Sequence, residues 1–309
     1  MEFKIVYGNH GKDPFHIMDT LLLIKYSLQE IGHKADIQEQ MTPGKANILM
    51  EYFTYDFIEA MKEIKEVPGT QFILVATEFL TGDTFNDFQQ TDAVIQPQSH
   101  YDWSHFWRKR YKTFTLAQKM STAIWHLASN QVPIYQNMFS SSSVFYLPHG
   151  YTDAFGRVVQ VPWAHKDIDA IFTGTLTPHR LKVVECLKQN GINALAVKAV
   201  NSVVREDLVG RSKIGINLKQ NESWLYPSNS RFHYHLSNRS IMLTEHCPES
   251  CDLNAYVTNA SENNFTELCM QMIGKGDLQN LADDSYIQFR EEMPMRVLMK
   301  DLIEQTFAV

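Results

Sequence analysis

Apolar positions along the chain fall into two alternating rhythms. Short dense runs, FKIVY (3–7), KADIQ (34–38), ANILM (46–50), QFILVA (71–76), DAVIQ (92–96) and VFYLP (144–148), have the length and composition of strands. Between the first two, Ile17, Leu21, Ile24 and Leu28 repeat at helical spacing, with Pro14 suited to a first turn and Gly32 to the residue past the end. A strand, helix, strand order predicts a parallel sheet. Residues 100–139 are long and aromatic and read as helical, and 147–167, with Pro148, Gly150, Gly156 and Pro162, reads as a linker. A second series then begins: IDAIFT (168–173), NALAV (193–197), KIGINL (213–218) and SIMLT (240–244), with helical segments between. The pattern predicts an α/β fold of two doubly wound, Rossmann-like domains facing each other across a cleft. They span about 1–160 and 161–284, and a helix-prone stretch, 285–309, broken at Pro294, follows. In such sheets ligands bind at the carboxyl ends of the strands.

Composition narrows the function classes. The 309 residues exceed what one core usually spans, in keeping with two domains. A formal charge of −7 and a pI near 5.9 argue against a dedicated duplex-DNA binder. They leave room for a local basic patch, and FWRKRYK (106–112) is one: it can steer an anionic acceptor, a membrane surface or a nucleic acid strand, or be a solvated helix face. Four cysteines at 186, 247, 251 and 269 form no regular framework, and the opening MEFKIVYGNHG has no secretory character, so the expected location is the reducing cytoplasm. Cys247 and Cys251 lack the second ligand pair of a zinc site. No G-x-G-x-x-G, Walker A or H-E-x-x-H motif occurs, which removes the simplest dehydrogenase, nucleoside-triphosphatase and zinc-protease readings.

Two segments of the second series carry the candidate chemistry. In IDAIFTGTLTPHR (168–180) a strand runs through Gly174 and Thr175 into a helix that Thr177 can cap, with Pro178 at its first position and Leu181, Val184 and Leu187 as an inward stripe. Arg180 then sits in the first turn, where the helix dipole disfavours a cation. A phosphate group at that turn accounts for it; the alternative is a surface arginine beside an ordinary turn. LYPSNSRFHYHLSNRSIMLTEH (225–246) repeats the arrangement: Ser228, Asn229 and Ser230 are capping candidates, Arg231 falls in the first turn, and the next strand ends at Glu245. Two such helix starts can grip a diphosphate from both sides, and Glu245 is placed to accept from sugar hydroxyls or to be a solvated loop carboxylate.

The runs DIDAIFTGTLTPHRLKVVECLKQNGI, LVGRSKIGINLKQNE and SRFHYHLSNRSIMLTEHCPE together resemble the donor half of glycosyltransferase-B fold enzymes, and VFYLPHGY is similar to the element that precedes that half in them. The resemblance covers about residues 144–250. It implies sugar transfer from a nucleotide-diphosphate sugar, with the diphosphate held by side chains and helix ends and with no metal or other cofactor. Carried over by position, it assigns Gly174, Thr175 and Arg180 to the first turn, Asn217 and Lys219 to the end of the third strand, Arg231 to the second helix and Glu245 to the strand end. It also implies that the last helix crosses back to the first domain. Asn229 stands where these enzymes often have an acid, and a histidine near Lys219 is missing, so the donor sugar stays open.

Catalysis depends on the stereochemistry. If the configuration inverts, a base must take the acceptor proton, and His10 and Asp13 in YGNHGKDPF and Glu78 in VATEFLTGD are the candidates. If it is retained, the two arginines mainly stabilise the departing diphosphate. The acceptor can be a glycan, a lipid-linked sugar, a protein, a metabolite or a modified DNA base. A nucleotide-sugar epimerase of the same architecture and a non-catalytic nucleotide or sugar binder are the alternative readings.

Overall fold

The computed structural model describes residues 1–8, 17–86, 104–198 and 200–308. Its contacts divide the chain into two units, Met1–Pro148 with Met295–Val309, and His149–Pro294. The strand expected at 92–96 and the candidates His10 and Asp13 lie outside the described residues.

The first unit runs β1 (Glu2–Val6), α1 (Met18–Glu30), β2 (Lys34–Gln38), β3 (Ala46–Met50), α2 (Tyr55–Lys65), β4 (Gln71–Ala76), a hairpin of β5 (Leu80–Thr81) and β6 (Thr84–Phe85), α3 (Ser104–Gln118), β7 (Ala123–His126), α4 (Val132–Met138) and β8 (Ser143–Tyr146). Six of the strands form a parallel sheet in the order β2-β1-β3-β4-β7-β8. β3 is buried at every position and β4 at all but its first, as expected of strands covered on both faces. α1 buries Leu21, Ile24 and Leu28, and the Thr54 hydroxyl caps α2 by accepting from the Phe57 amide.

One helical expectation fails in this unit. Residues 100–139 do not form one helical stretch, because β7 interrupts them between α3 and α4. All four β7 residues are buried, and Trp125 donates from Nε1 to Thr306 Oγ1 at 2.9 Å. A four-residue strand covered on both faces shows no alternation to read, so its sequence is indistinguishable from a turn of buried helix.

The second unit runs β9 (Ile168–Thr173), α5 (Pro178–Gln189), β10 (Ala194–Val197), α6 (Ser202–Gly210), β11 (Ser212–Asn217), α7 (Asn229–Ser237), β12 (Ile241–Thr244), β13 (Thr258–Asn259), α8 (Phe265–Gly274) and α9 (Gln279–Glu292). Its five strands are parallel, in the order β10-β9-β11-β12-β13. Residues 149–167 pack into this unit: the Tyr151 amide donates to Met293 O, the Arg157 and Val158 amides to Asn238 Oδ1, and the Val161 amide to Gly210 O. Those bonds place the unit boundary after Pro148 rather than near 160. The break at Pro294 separates α9 from α10 (Met295–Phe307), which packs on α1 and β8 of the first unit. No described helix is long and apolar enough to cross a membrane.

Three buried histidines make the fold sensitive to acid. Burial pushes the imidazoles of His126 and His233 down to about 4 and that of His235 down to about 3, from an ordinary 6.5. A base whose folded pKa is depressed stabilises the fold above its unfolded pKa, and that contribution is lost as pH falls towards the folded pKa. Unfolding free energy measured by urea denaturation is therefore expected to fall as pH drops from 6.5 towards 4. In His235→Phe the slope over that window should be shallower by one proton, about 1.4 kcal/mol per pH unit.

Candidate functional site

In the second unit the strand order reverses at β9, with β10 on one side and β11 on the other. A doubly wound sheet opens a crevice at that point, outside the carboxyl ends. Gly174 and Thr175 follow β9 there, and Leu218 and Lys219 follow β11. Arg180 and Arg231 both reach this edge, each from the first turn of its helix.

Arg180 is 8% exposed, and it occupies the inward position that the sequence gives to Leu181, which is 44% exposed. The buried face of α5 is Arg180, Val184 and Leu187, because the periodicity is shifted by one residue. Its Nε lies 3.2 Å from Leu218 O and 3.1 Å from Lys219 O, and its Nη1 donates to Thr175 O at 2.8 Å. Thr177 is the N-cap of α5, with its hydroxyl accepting from the Arg180 amide. Arg231 donates from Nε to Thr173 O at 3.0 Å and from Nη1 to Asn217 Oδ1. Asn217 is buried and held from its other side, donating from Nδ2 to Thr244 Oγ1 at 2.9 Å.

Both guanidinium carbons lie over the ring of Phe172, that of Arg180 at 5.0 Å from the centroid and that of Arg231 at 4.6 Å. Burial first, and then the neighbouring Arg180 charge, hold the Arg231 guanidinium well below its ordinary pKa. Among the described residues, no carboxylate pairs with Arg231, and its Nη2 carries no hydrogen bond. Beside that nitrogen stands Gly174 at φ 145°, where an added Cβ would lie 2.8 Å from Nη2. Glycine is needed there twice over, for the backbone angle and for the room.

Glu245 does not present a free carboxylate. Its oxygens lie 2.9 and 3.1 Å from His179 Nε2, and Oε2 accepts from the Lys219 amide at 2.8 Å. Burial raises its pKa, but the His179 bond and the Lys219 amide outweigh that, and the carboxyl stays below its ordinary value. Lys219 itself points Nζ at Glu222 O, 2.9 Å away. Ser228 is the N-cap of α7 by position, yet its hydroxyl makes no capping bond. Ser230 Oγ lies 3.4 Å from His149 Nε2, and Asn229 opens the helix. Phe172 and His179 were not singled out by the sequence. His179 could have been, as a polar residue beside Arg180 in the same first turn.

The first unit carries a separate cluster at the carboxyl ends of β3 and β4. Arg110 of α3 binds Glu51 through two bonds, Nε to Oε1 at 3.1 Å and Nη2 to Oε2 at 2.8 Å, and reaches Glu78 Oε1 at 2.9 Å. The Glu51 side chain is 1% exposed and that of Arg110 8%. The Arg110 guanidinium also lies within 5.0–5.6 Å of the Tyr52, Trp107 and Phe106 ring centroids. Arg110 is therefore no part of a solvated basic face, although Arg108, Lys109 and Lys112 are exposed. Burial pushes the Glu51 carboxyl up to about 7, with Arg110 opposing it. Glu78 is held at further points: Asn86 Nδ2 donates to Oε2 at 2.7 Å, and the Glu78 backbone carbonyl accepts from the Tyr135 hydroxyl at 2.7 Å and lies 3.1 Å from His126 Nε2.

No protein-family model and no curated protein sequence matches the chain. Solved structures do match in fold. The chain is similar to TarM with a TM-score of 0.50 and 8% identity, over 93% of this chain and 58% of that one. It is similar to AviGT4, described as a glycosyltransferase involved in avilamycin A biosynthesis, with a TM-score of 0.54 and 11% identity, over 99% of this chain and 97% of that one. The chain thus spans little more than half the length of TarM and nearly all of AviGT4. Two parallel α/β units with these likenesses give the chain the glycosyltransferase-B fold.

Proposed function

We propose that this protein is a glycosyltransferase that takes a sugar from a nucleotide-diphosphate sugar and passes it to an acceptor hydroxyl, without a metal. The observation that carries the proposal is the unused Nη2 edge of Arg231, at the switch point of the second sheet, seated against a glycine that makes room for the guanidinium. A cation held below its ordinary pKa gains most from an arriving anion, and a diphosphate supplies one. As the bond from the sugar to the diphosphate breaks, negative charge grows on the leaving group, and a guanidinium fixed in advance stabilises that charge without reorganising.

The other second-unit residues take supporting roles under this reading. Arg180 ties the ends of β9 and β11 together and adds positive charge, while Glu245 fixes His179 and the Lys219 amide. Gly174, Thr175 and the first turns of α5 and α7, with Ser228, Asn229 and Ser230, line the approach to the phosphates. An inverting enzyme needs a base for the acceptor proton; Glu78, fixed in orientation by Arg110 and Asn86, is the proposed one among the described residues. Fold likeness to a named glycosyltransferase supports the assignment by analogy only.

Thermal-shift measurements with UDP, GDP, CDP, ADP, TDP and CMP test the proposal. One diphosphate should raise the melting temperature, by the equivalent of about 2.7 kcal/mol at 100 times its Kd. Arg231→Ala and Arg180→Ala should each abolish the shift; indifference of the wild type to every nucleotide contradicts the proposal. Gly174→Ala, which forces a side chain into a glycine angle and into Arg231, should lose the same shift and about 1–3 kcal/mol of stability in urea denaturation. A Gly174→Ala protein with wild-type stability and binding would show that this turn is not constrained.

A further inference from the structure

One face of α7 carries Arg231 and, one turn later, His235. Each meets the sheet at a glycine. Arg231 Nη2 lies against Gly174, at the end of β9. His235 lies against Gly215, inside β11, where an added Cβ would come closer than 3.0 Å to Cε1, Nδ1 and Nε2 of the ring. Three ring atoms that close to one point mean that the imidazole sits flat over the backbone, in the place that any side chain at 215 would occupy. Gly215 has no left-handed angle to explain it, so close approach is the reason for glycine there.

His235 has the marks of a spacer rather than a polar group at work. It is 0% exposed, and neither ring nitrogen has a hydrogen-bond partner among the described residues. Burial and the positive charges of Arg231 and Arg205 keep it neutral. Its contact strand is also the strand that holds Arg231: Asn217, two residues beyond Gly215 and so on the same face of β11, accepts from Arg231 Nη1. The His235 ring thus lies between α7 and β11 one turn from the arginine, in space that only a glycine at 215 leaves open.

We propose that His235, seated on Gly215, is a positioning residue for Arg231: it sets how close α7 lies to the sheet, and so where Arg231 Nη2 meets the diphosphate. The inference rests on the diphosphate reading of Arg231 given above. A displacement of α7 of about 1 Å is enough to lower binding by an order of magnitude or more.

Calorimetric titration of the preferred nucleoside diphosphate and of its monophosphate tests this, in the wild type, Gly215→Ala, His235→Ala, His235→Phe and the double variant Gly215→Ala with His235→Ala. The readout is the preference for diphosphate over monophosphate, which a general loss of stability does not change. Gly215→Ala should reduce that preference about tenfold, and the double variant should recover most of it, with the added methyl occupying part of the space the ring leaves. His235→Phe, which keeps the flat ring, should retain the wild-type preference and its pH profile. Should Gly215→Ala not fold, His235→Ala carries the test, with a reduced preference expected. A folded Gly215→Ala or His235→Ala protein with the wild-type preference overturns the positioning role and leaves the diphosphate reading intact. A wild type that binds neither nucleotide, or an Arg231→Ala protein that binds as the wild type does, overturns that reading and the inference with it.

Discussion

Carbonyl groups at the ends of parallel strands, facing two cations at the starts of helices, are the interaction on which the second unit is organised. A helix dipole repels an arginine in its first turn. Here the carbonyls of Thr173, Thr175, Leu218 and Lys219 lie where β9 and β11 stop pairing, and Arg180 and Arg231 donate to them. The strand ends supply the negative poles that the helix starts lack. Phe172 adds the face of its ring to both guanidinium groups. The arrangement leaves Arg231 Nη2 unused, which turns a structural device into a candidate anion site.

The two units solve the same problem differently. In the first, the buried cation Arg110 is matched by the carboxylates of Glu51 and Glu78, so the cluster is electrically complete or negative. In the second, Arg231 is matched by one backbone carbonyl and one amide oxygen, so its net charge stays uncompensated by any carboxylate among the described residues. Partial charges satisfy hydrogen-bond geometry without cancelling a full charge. The chemical difference between the units follows from that: one strand edge holds carboxylates against a cation, the other holds a cation with no carboxylate partner among the described residues.

Much of this was legible in the chain and some was not. The strands at 46–50 and 71–76 stand out as dense, mainly apolar runs, and the α5 start because Thr177 and Pro178 carry unambiguous cap chemistry. β7 was illegible because four buried residues have no period, and β13 because two residues have none either. At the site, the helix-start arginines could be picked out by their conflict with the dipole. Their backbone partners could not, since carbonyls leave no trace in sequence; the side-chain partner Asn217 was placed at the same strand end by the resemblance. The occupation of Glu245 by His179, the pairing of Arg110 with Glu51, and the seat of His235 on Gly215 join residues 66, 59 and 20 positions apart, which only the folded sheets bring together.

A crystal structure of the protein with its preferred nucleoside diphosphate tests the central claim most directly. The account predicts a phosphate oxygen within hydrogen-bonding distance of Arg231 Nη2, beside Gly174, with Arg231 still donating to Thr173 O and Asn217 Oδ1. A nucleotide bound elsewhere, with Nη2 left as it is, would contradict it.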